Sequence, residues 1–221
     1  MNQNKLARII DGGEGLRVEF KQRFSTHEKI SKELIAFANT RGGYLIIGVD
    51  DDKSIYGVDS EKGVTELLKE AAADFCEPPI ELKIRYVEIE NKELVVVEID
   101  ESNNKPHRIQ DYKKDIDPST ADVYVRVNDK SVLASKEMIK ILQARSEEKS
   151  LKNYVVGKSE KIVFDFLDKN ETITVKELSR FANISGRRAS RTLIKLVRAN
   201  LLMIHSKDNG EDYFTYSGIS S

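Results

Sequence analysis

The stretch Ala36-Phe37-Ala38-Asn39-Thr40-Arg41-Gly42-Gly43-Tyr44-Leu45-Ile46-Ile47-Gly48-Val49-Asp50-Asp51-Asp52 leaves little freedom to any chain that contains it. Apolar residues at Ile30, Leu34, Ile35 and Ala38 recur at helical spacing and run into Asn39-Thr40-Arg41. Gly42 and Gly43 then supply the left-handed backbone that ends a helix and turns the chain. The apolar run from Tyr44 to Val49 is too continuous for a half-exposed strand, so it is expected at the centre of a sheet. Asp50, Asp51 and Asp52 leave three carboxylates where that strand emerges, a place where functional groups collect.

Around this stretch the chain divides in two by charge. Residues 1–150 carry 24 Lys/Arg against 29 Asp/Glu, whereas residues 151–221 carry 12 against 8. A net charge of −1 for the whole chain conceals that split, which implies two domains with different partners. A length of 221 residues accommodates one medium and one small domain. No apolar run approaches the ~18 residues of a membrane span. Lys5 and Arg8 are not followed by an apolar core, so a secretory leader is not expected. A lone Cys76 forms no internal disulfide and fits a reducing, cytoplasmic compartment.

In chain order, residues 2–10 read as a short helix. Leu16, Val18 and Phe20 alternate with Arg17, Glu19 and Lys21 as in a strand, which puts Glu19 and Lys21 on one face. Ser25-Thr26 supplies caps for the following helix, and Ser54 to Val58 reads as a return strand after the acidic turn. Residues 60–76 form an amphipathic helix stopped by Pro78-Pro79. Strands are expected at Glu81 to Ile89 and Glu93 to Ile99, then a long loop from Lys105, then a last strand of the sheet at Val123 to Val127. Ser135 caps a closing helix through Gln143. The expected fold is α+β, a mixed sheet layered with helices over residues 1–145, with a linker at 146–158. Helices at 159–168, 174–182 and 185–199, then strands at 201–205 and 212–216, give residues 159–221 the order of a winged helix-turn-helix.

Two constellations carry candidate chemistry. Between residues 185 and 200 the third of those helices holds five basic residues and no acid. Leu193, Leu196 and Val197 face its core, and Arg187, Arg188 and Arg191 sit near its entering end, the arrangement of a helix that lies in the DNA major groove. Lys195, Arg198 and, in the wing, Lys207 are expected on backbone phosphates. The second constellation is acidic: if the Glu14 strand lies beside the Tyr44 strand, Glu14 and Glu19 converge with Asp50, Asp51 or Asp52 and could hold Mg or Mn against a phosphodiester. Lys21 would then face a phosphate, and His107 beside Arg108 is a further candidate for anion contact. Neither Gly12-Gly13-Glu14-Gly15 nor Gly42-Gly43 is a phosphate loop, since the second precedes a strand rather than a helix.

The pattern Glu14-x-x-x-x-Glu19-Phe20-Lys21, then Ala36-Phe37-Ala38-Asn39-Thr40-x-Gly42-Gly43-Tyr44-Leu45-x-Ile47-Gly48-Val49-Asp50-Asp51, then Ile55-x-Gly57, resembles the Schlafen AlbA-type domain, also labelled divergent AAA. Lys105-Pro106-His107 and Val123-Tyr124-Val125-Arg126-Val127 are similar to that family's closing region, so the resemblance spans residues 10–143. It implies several activities. Bacterial members often carry a C-terminal winged helix and are described as transcriptional regulators or ATP-binding proteins, which implies a DNA-binding regulator, expected as a homodimer that reads two half-sites. The animal branch cuts RNA with three carboxylates, two spaced like Glu14 and Glu19 and a third matching Asp50 or Asp51; this implies a metal-dependent ribonuclease as the alternative. Ser131-Val132 stands where many relatives have Ser-Ser-Thr, and no Walker motif accompanies the ATP-binding expectation.

Overall fold

The computed structural model describes residues 1–146 and 157–217, so most of the linker expected at 146–158 lies outside the described residues. The chain forms two compact units, Met1–Leu133 and Ala134–Ser221. Among the described residues no helix is long and apolar enough to cross a membrane.

In the first unit α1 (Gln3–Gly12) is capped by the Asn2 side chain, which accepts the Lys5 N–H. It is followed by β1 (Val18–Lys21), α2 (His27–Asn39), β2 (Gly43–Ile47) and α3 (Glu61–Asp74). Next come β3 (Cys76–Glu77), β4 (Lys83–Ile89), β5 (Lys92–Ile99), β6 (Arg108–Ile109), β7 (Tyr124–Val127) and β8 (Lys130–Leu133). A four-stranded sheet has the order β1-β2-β5-β4, with β1 parallel to β2 and the other pairs antiparallel. The central place of β2 explains its unbroken apolar run. Leu45 and Ile47 enter a core built with α2 and α3, while Ile46 enters a second core with Leu6, Ile10, Phe20 and Val96 on the other face. Each such buried side chain contributes about 1.5–3 kcal/mol.

The Gly42-Gly43 turn is enforced by packing as well as by dihedral angle. Gly42 has φ +65, and a Cβ there would meet the Ile99 carbonyl oxygen at 2.5 Å. At Gly43 a Cβ would lie 2.5 Å from the Phe37 ring and 2.6 Å from the Arg17 carbonyl oxygen. Both positions therefore need the absence of a side chain to let β2 start directly beneath the end of α2.

Three expectations about strands are corrected. Ser54 to Val58 is not a strand: only Ile55 makes a bridge, to Val49, because the Tyr56 and Gly57 N–H groups both converge on the Gly48 carbonyl. Val123 to Val127 does not join the main sheet; β7 pairs only with β8. Two of its other backbone groups are taken by the end of α2, where the Asn39 amide donates to the Tyr124 carbonyl at 3.0 Å and the Arg126 N–H donates to Thr40 Oγ1 at 2.8 Å. The loop after Lys105 contains a short strand, β6, which pairs with β3.

The second unit holds α4 (Lys136–Ser146), α5 (Lys158–Leu167), α6 (Val175–Phe181), α7 (Gly186–Arg198), β9 (Leu202–Ser206) and β10 (Asp212–Tyr216). Helix α4, placed by the sequence reading in the first domain, belongs to this unit. Ile141 lies in one core with Leu193, Val197 and Phe214, and the Ser190 hydroxyl on α7 donates to the Glu137 carboxylate. Thr174 and Glu177 form a capping box that starts α6. β9 and β10 pair antiparallel, and Ile173 bridges to Phe214 beside them.

Candidate nucleic-acid interface

Helix α7 separates its residues by chemistry. Ala189, Leu193 and Leu196 are fully buried and Val197 nearly so, fixing the inward face. Arg187, Arg188, Arg191 and Lys195 are exposed on the opposite face. Ser185 caps the helix by accepting the Arg188 N–H at 3.3 Å, so the positive end of the helix dipole adds to these side chains. Together with Lys158 they line a concave surface of about 450 Å³, with Glu160 as the carboxylate on its rim. Among the described residues, Arg187, Arg188, Arg191 and Lys195 take part in no ion pair. Arg198 lies half-buried in the last turn. Lys207 is exposed in the β9–β10 turn, its ammonium 5.9 Å from the Tyr213 ring centre.

The acidic constellation of the first unit is drawn together only in part. β1 does lie beside β2, with Glu19 opposite Leu45. Glu14 precedes β1 and accepts the Phe20 N–H at 2.8 Å. Burial pushes the Glu14 carboxyl above its ordinary value; the Phe20 N–H opposes this, and the charges of Glu19 and Asp51 add to it. Asp50 turns back to accept the Asp51 N–H at 2.9 Å, and Asp52 accepts the Ser54 N–H at 2.8 Å. Each of these two carboxylates shapes the turn.

Glu19 is committed elsewhere. It is buried, one oxygen accepts from the Lys21 ammonium, and the other accepts from Arg126 at 2.9 Å. Among the described residues no group of three His, Cys, Asp or Glu side chains is arranged to hold a metal. At the place where Mg or Mn was expected, by Glu14, Glu19 and Asp50, the Lys21 ammonium and the Arg126 guanidinium both lie on the Glu19 carboxylate. For Lys21, burial pulls the ammonium pKa down, but Glu19, Glu33 and Glu14 outweigh it and leave the value raised. Lys21 thus neutralises the protein's own carboxylates.

Arg126 is the residue that sequence reasoning missed. Its side chain is fully buried, donates to Glu19 and, at 3.0 Å, to Glu33, reaches the Gly15 carbonyl at 2.7 Å, and lies 4.7 Å from the Phe37 ring centre. One guanidinium therefore ties the Glu14 turn, β1, α2 and β7 together. Glu33 is raised, first by burial and then by repulsion from Glu19, while Ser131, Lys21 and Arg126 hold it down. The only local signal was an arginine between valines in an otherwise apolar strand.

His107 and Arg108, expected on an anion, are both interior and occupied. The Asn39 amide donates to the His107 carbonyl and accepts the His107 N–H, both at 2.8 Å. The His107 ring contacts the Pro78 carbonyl and the Ser102 hydroxyl, each at 2.7 Å. Arg108 donates to the carbonyls of Lys113 and Asp115 and pairs with Asp111, bracing the loop that follows β6.

Two solved structures resemble the chain. The N-terminal domain of a RecG-related protein from Nitrosomonas europaea is 24% identical, with 52% of this chain and 84% of that one covered and a TM-score of 0.42. The DIP2311 protein from Corynebacterium diphtheriae is 12% identical, with 97% of this chain and 38% of that one covered and a TM-score of 0.48. Residues 14–135, over half of the chain, match the Schlafen, AlbA_2 family, and the protein belongs to that family.

Proposed function

We propose that this protein is a DNA-binding transcriptional regulator whose second unit acts as a winged helix, with α7 as the recognition helix. The observation that carries this reading is the exposed row Arg187, Arg188, Arg191 and Lys195, backed by a buried apolar face that fixes its direction. Arginines at the entering end of such a helix reach guanine O6 and N7 in pairs of hydrogen bonds, each pair giving about 1–3 kcal/mol of discrimination. Lys195, Arg198 and Lys207 lie farther along the helix and in the wing, where phosphates pass. Two copies on adjacent half-sites would give a homodimer its specificity. Membership of the Schlafen, AlbA_2 family supports a nucleic-acid-associated role for the first unit.

The test is fluorescence anisotropy with duplexes selected from a random pool by the full chain. Replacing Arg187, Arg188 and Arg191 together by Ala is expected to abolish preference for the selected sequence and weaken binding at least tenfold. Unchanged affinity and preference in that variant would remove α7 from DNA recognition.

A further inference from the structure

The loop that follows β5 brings a serine and a histidine together in a way the DNA reading does not use. The Ser102 N–H donates to the Ala38 carbonyl at 2.9 Å, and Asn39 holds the His107 backbone by two hydrogen bonds. Both residues are thus anchored to the end of α2. His107 is 3% exposed. Its Nδ1 lies 2.7 Å from the Pro78 carbonyl oxygen, and a carbonyl only accepts, so Nδ1 carries the proton. Burial lowers the ring's pKa, the Pro78 carbonyl opposes this and the Lys105 charge adds to it, so the net shift favours the neutral ring. In the neutral ring Nε2 then has a free lone pair, and it lies 2.7 Å from Ser102 Oγ. The hydroxyl must donate to it. Ser102 Oγ in turn accepts the Asn104 N–H at 3.0 Å, which fixes its rotamer.

We propose that Ser102 is a nucleophile with His107 as its general base, and that the pair cleaves neutral or cationic carboxylic esters. A nucleophile within hydrogen-bond reach of a base that is itself oriented by a third group is the arrangement such chemistry needs. Here the Pro78 carbonyl orients the base. Access comes from a cavity of about 320 Å³ lined by Ser102, His107, Ile80, Leu82, Lys83 and Asn104. Its walls also carry Glu81, Asp100 and Glu101. Lys83 pairs with Asp100 and Lys105 with Glu101, so Glu81 leaves the mouth with a net charge of about −1, which disfavours phosphates and other anions.

In the first step Ser102 Oγ attacks the ester carbonyl carbon and its proton passes to His107 Nε2. The carbon–oxygen bond to the alcohol breaks, and the alcohol leaves with that proton. Water then attacks the acyl-serine, gives a proton to Nε2, and Ser102 departs and takes it back. The sum is ester plus water giving acid plus alcohol. A positioned general base contributes about 10²–10⁴-fold, so the reaction is best read with an activated ester.

The experiment treats the full chain with p-nitrophenyl acetate, follows phenolate release and maps the acetyl group by peptide mass spectrometry. The expected result is acetylation of Ser102 in the folded protein, at a rate that falls as pH drops and the imidazole protonates. Ser102→Ala, a change at a half-buried loop position, is expected to keep the fold and lose both the adduct and the enhanced release. His107→Gln is expected to slow acetylation at least tenfold. Absence of the Ser102 adduct, equal labelling of Ser102 after unfolding in urea, or unchanged release by folded Ser102→Ala would each overturn the proposal.

Discussion

Two sets of arginines, one in each unit, are used in opposite ways. In the first unit Arg126 and Arg108 are enclosed, their donors directed to Glu19, Glu33, Asp111 and backbone carbonyls. In the second unit Arg187, Arg188 and Arg191 stand in solvent on one face of α7. A charge that is buried must be paired, because an uncompensated ion in the interior is far too costly. A charge left exposed and unpaired costs the fold almost nothing and remains available to a polyanion. The same residue type therefore builds the fold at Arg108 and Arg126 and stays open to solvent on α7.

Arg126→Ala tests the interior half of that contrast. It strands Glu19 and Glu33 with only Lys21 between them, and urea unfolding should show a loss of about 3–5 kcal/mol. A loss below about 1 kcal/mol would mean that the network carries no more than a surface ion pair does. Gly43→Ala sharpens the same region without changing charge: the added methyl meets Phe37 and the Arg17 carbonyl, and a loss of about 1–3 kcal/mol is expected.

His107 gives a smaller effect with a definite sign. Its pKa is lowered in the folded state, so the unfolded chain takes up a proton first as pH falls below the ordinary histidine value of 6.5. The contribution of His107 is thus fully present above that value and is lost as pH falls through its folded pKa. Glu14 and Glu33, raised in the folded state, act in the opposite sense at lower pH, where the folded chain binds their protons first. The His107→Asn variant should therefore show a shallower fall in thermal midpoint between pH 7 and pH ~5.5 than the parent chain. An identical slope would place the titrating group elsewhere. The smallest expected stability change is that of Arg191→Ala, within about 0.5 kcal/mol of the parent. A larger loss would show that α7's basic face supports the fold.

Much of the first contrast was legible locally and much was not. The helical spacing before Asn39, the Gly42-Gly43 turn, the continuous run of β2 and the two-faced pattern of α7 are all written in neighbouring residues. Periodicity reports which face is apolar, so these elements could be placed from sequence. What periodicity does not report is the partner. Asn39 meets His107 across 68 residues, and Arg126 meets Gly15 across 111. Apart from the valines that flank Arg126, nothing near Arg126 or His107 in the chain distinguishes an enclosed cation or imidazole from an exposed one, which is why His107 and Arg108 read as anion contacts. The same blindness placed α4 with the sheet: an amphipathic helix does not name the core that will cover it. The acidic turn carries a related ambiguity, since Asp50 and Asp52 accept hydrogen bonds from their own backbone, a use that spacing cannot separate from ligation.

The claim that the basic face of the second unit meets DNA is tested most directly by the salt dependence of affinity. If Lys195, Arg198 and Lys207 each neutralise a phosphate, the logarithm of the association constant should fall against the logarithm of salt concentration with a slope of about −3 per bound chain. Replacing Lys195 and Lys207 together by Ala should reduce that slope by about 2 while leaving the ranking of duplex sequences intact. A slope that does not change in the double variant would contradict the account.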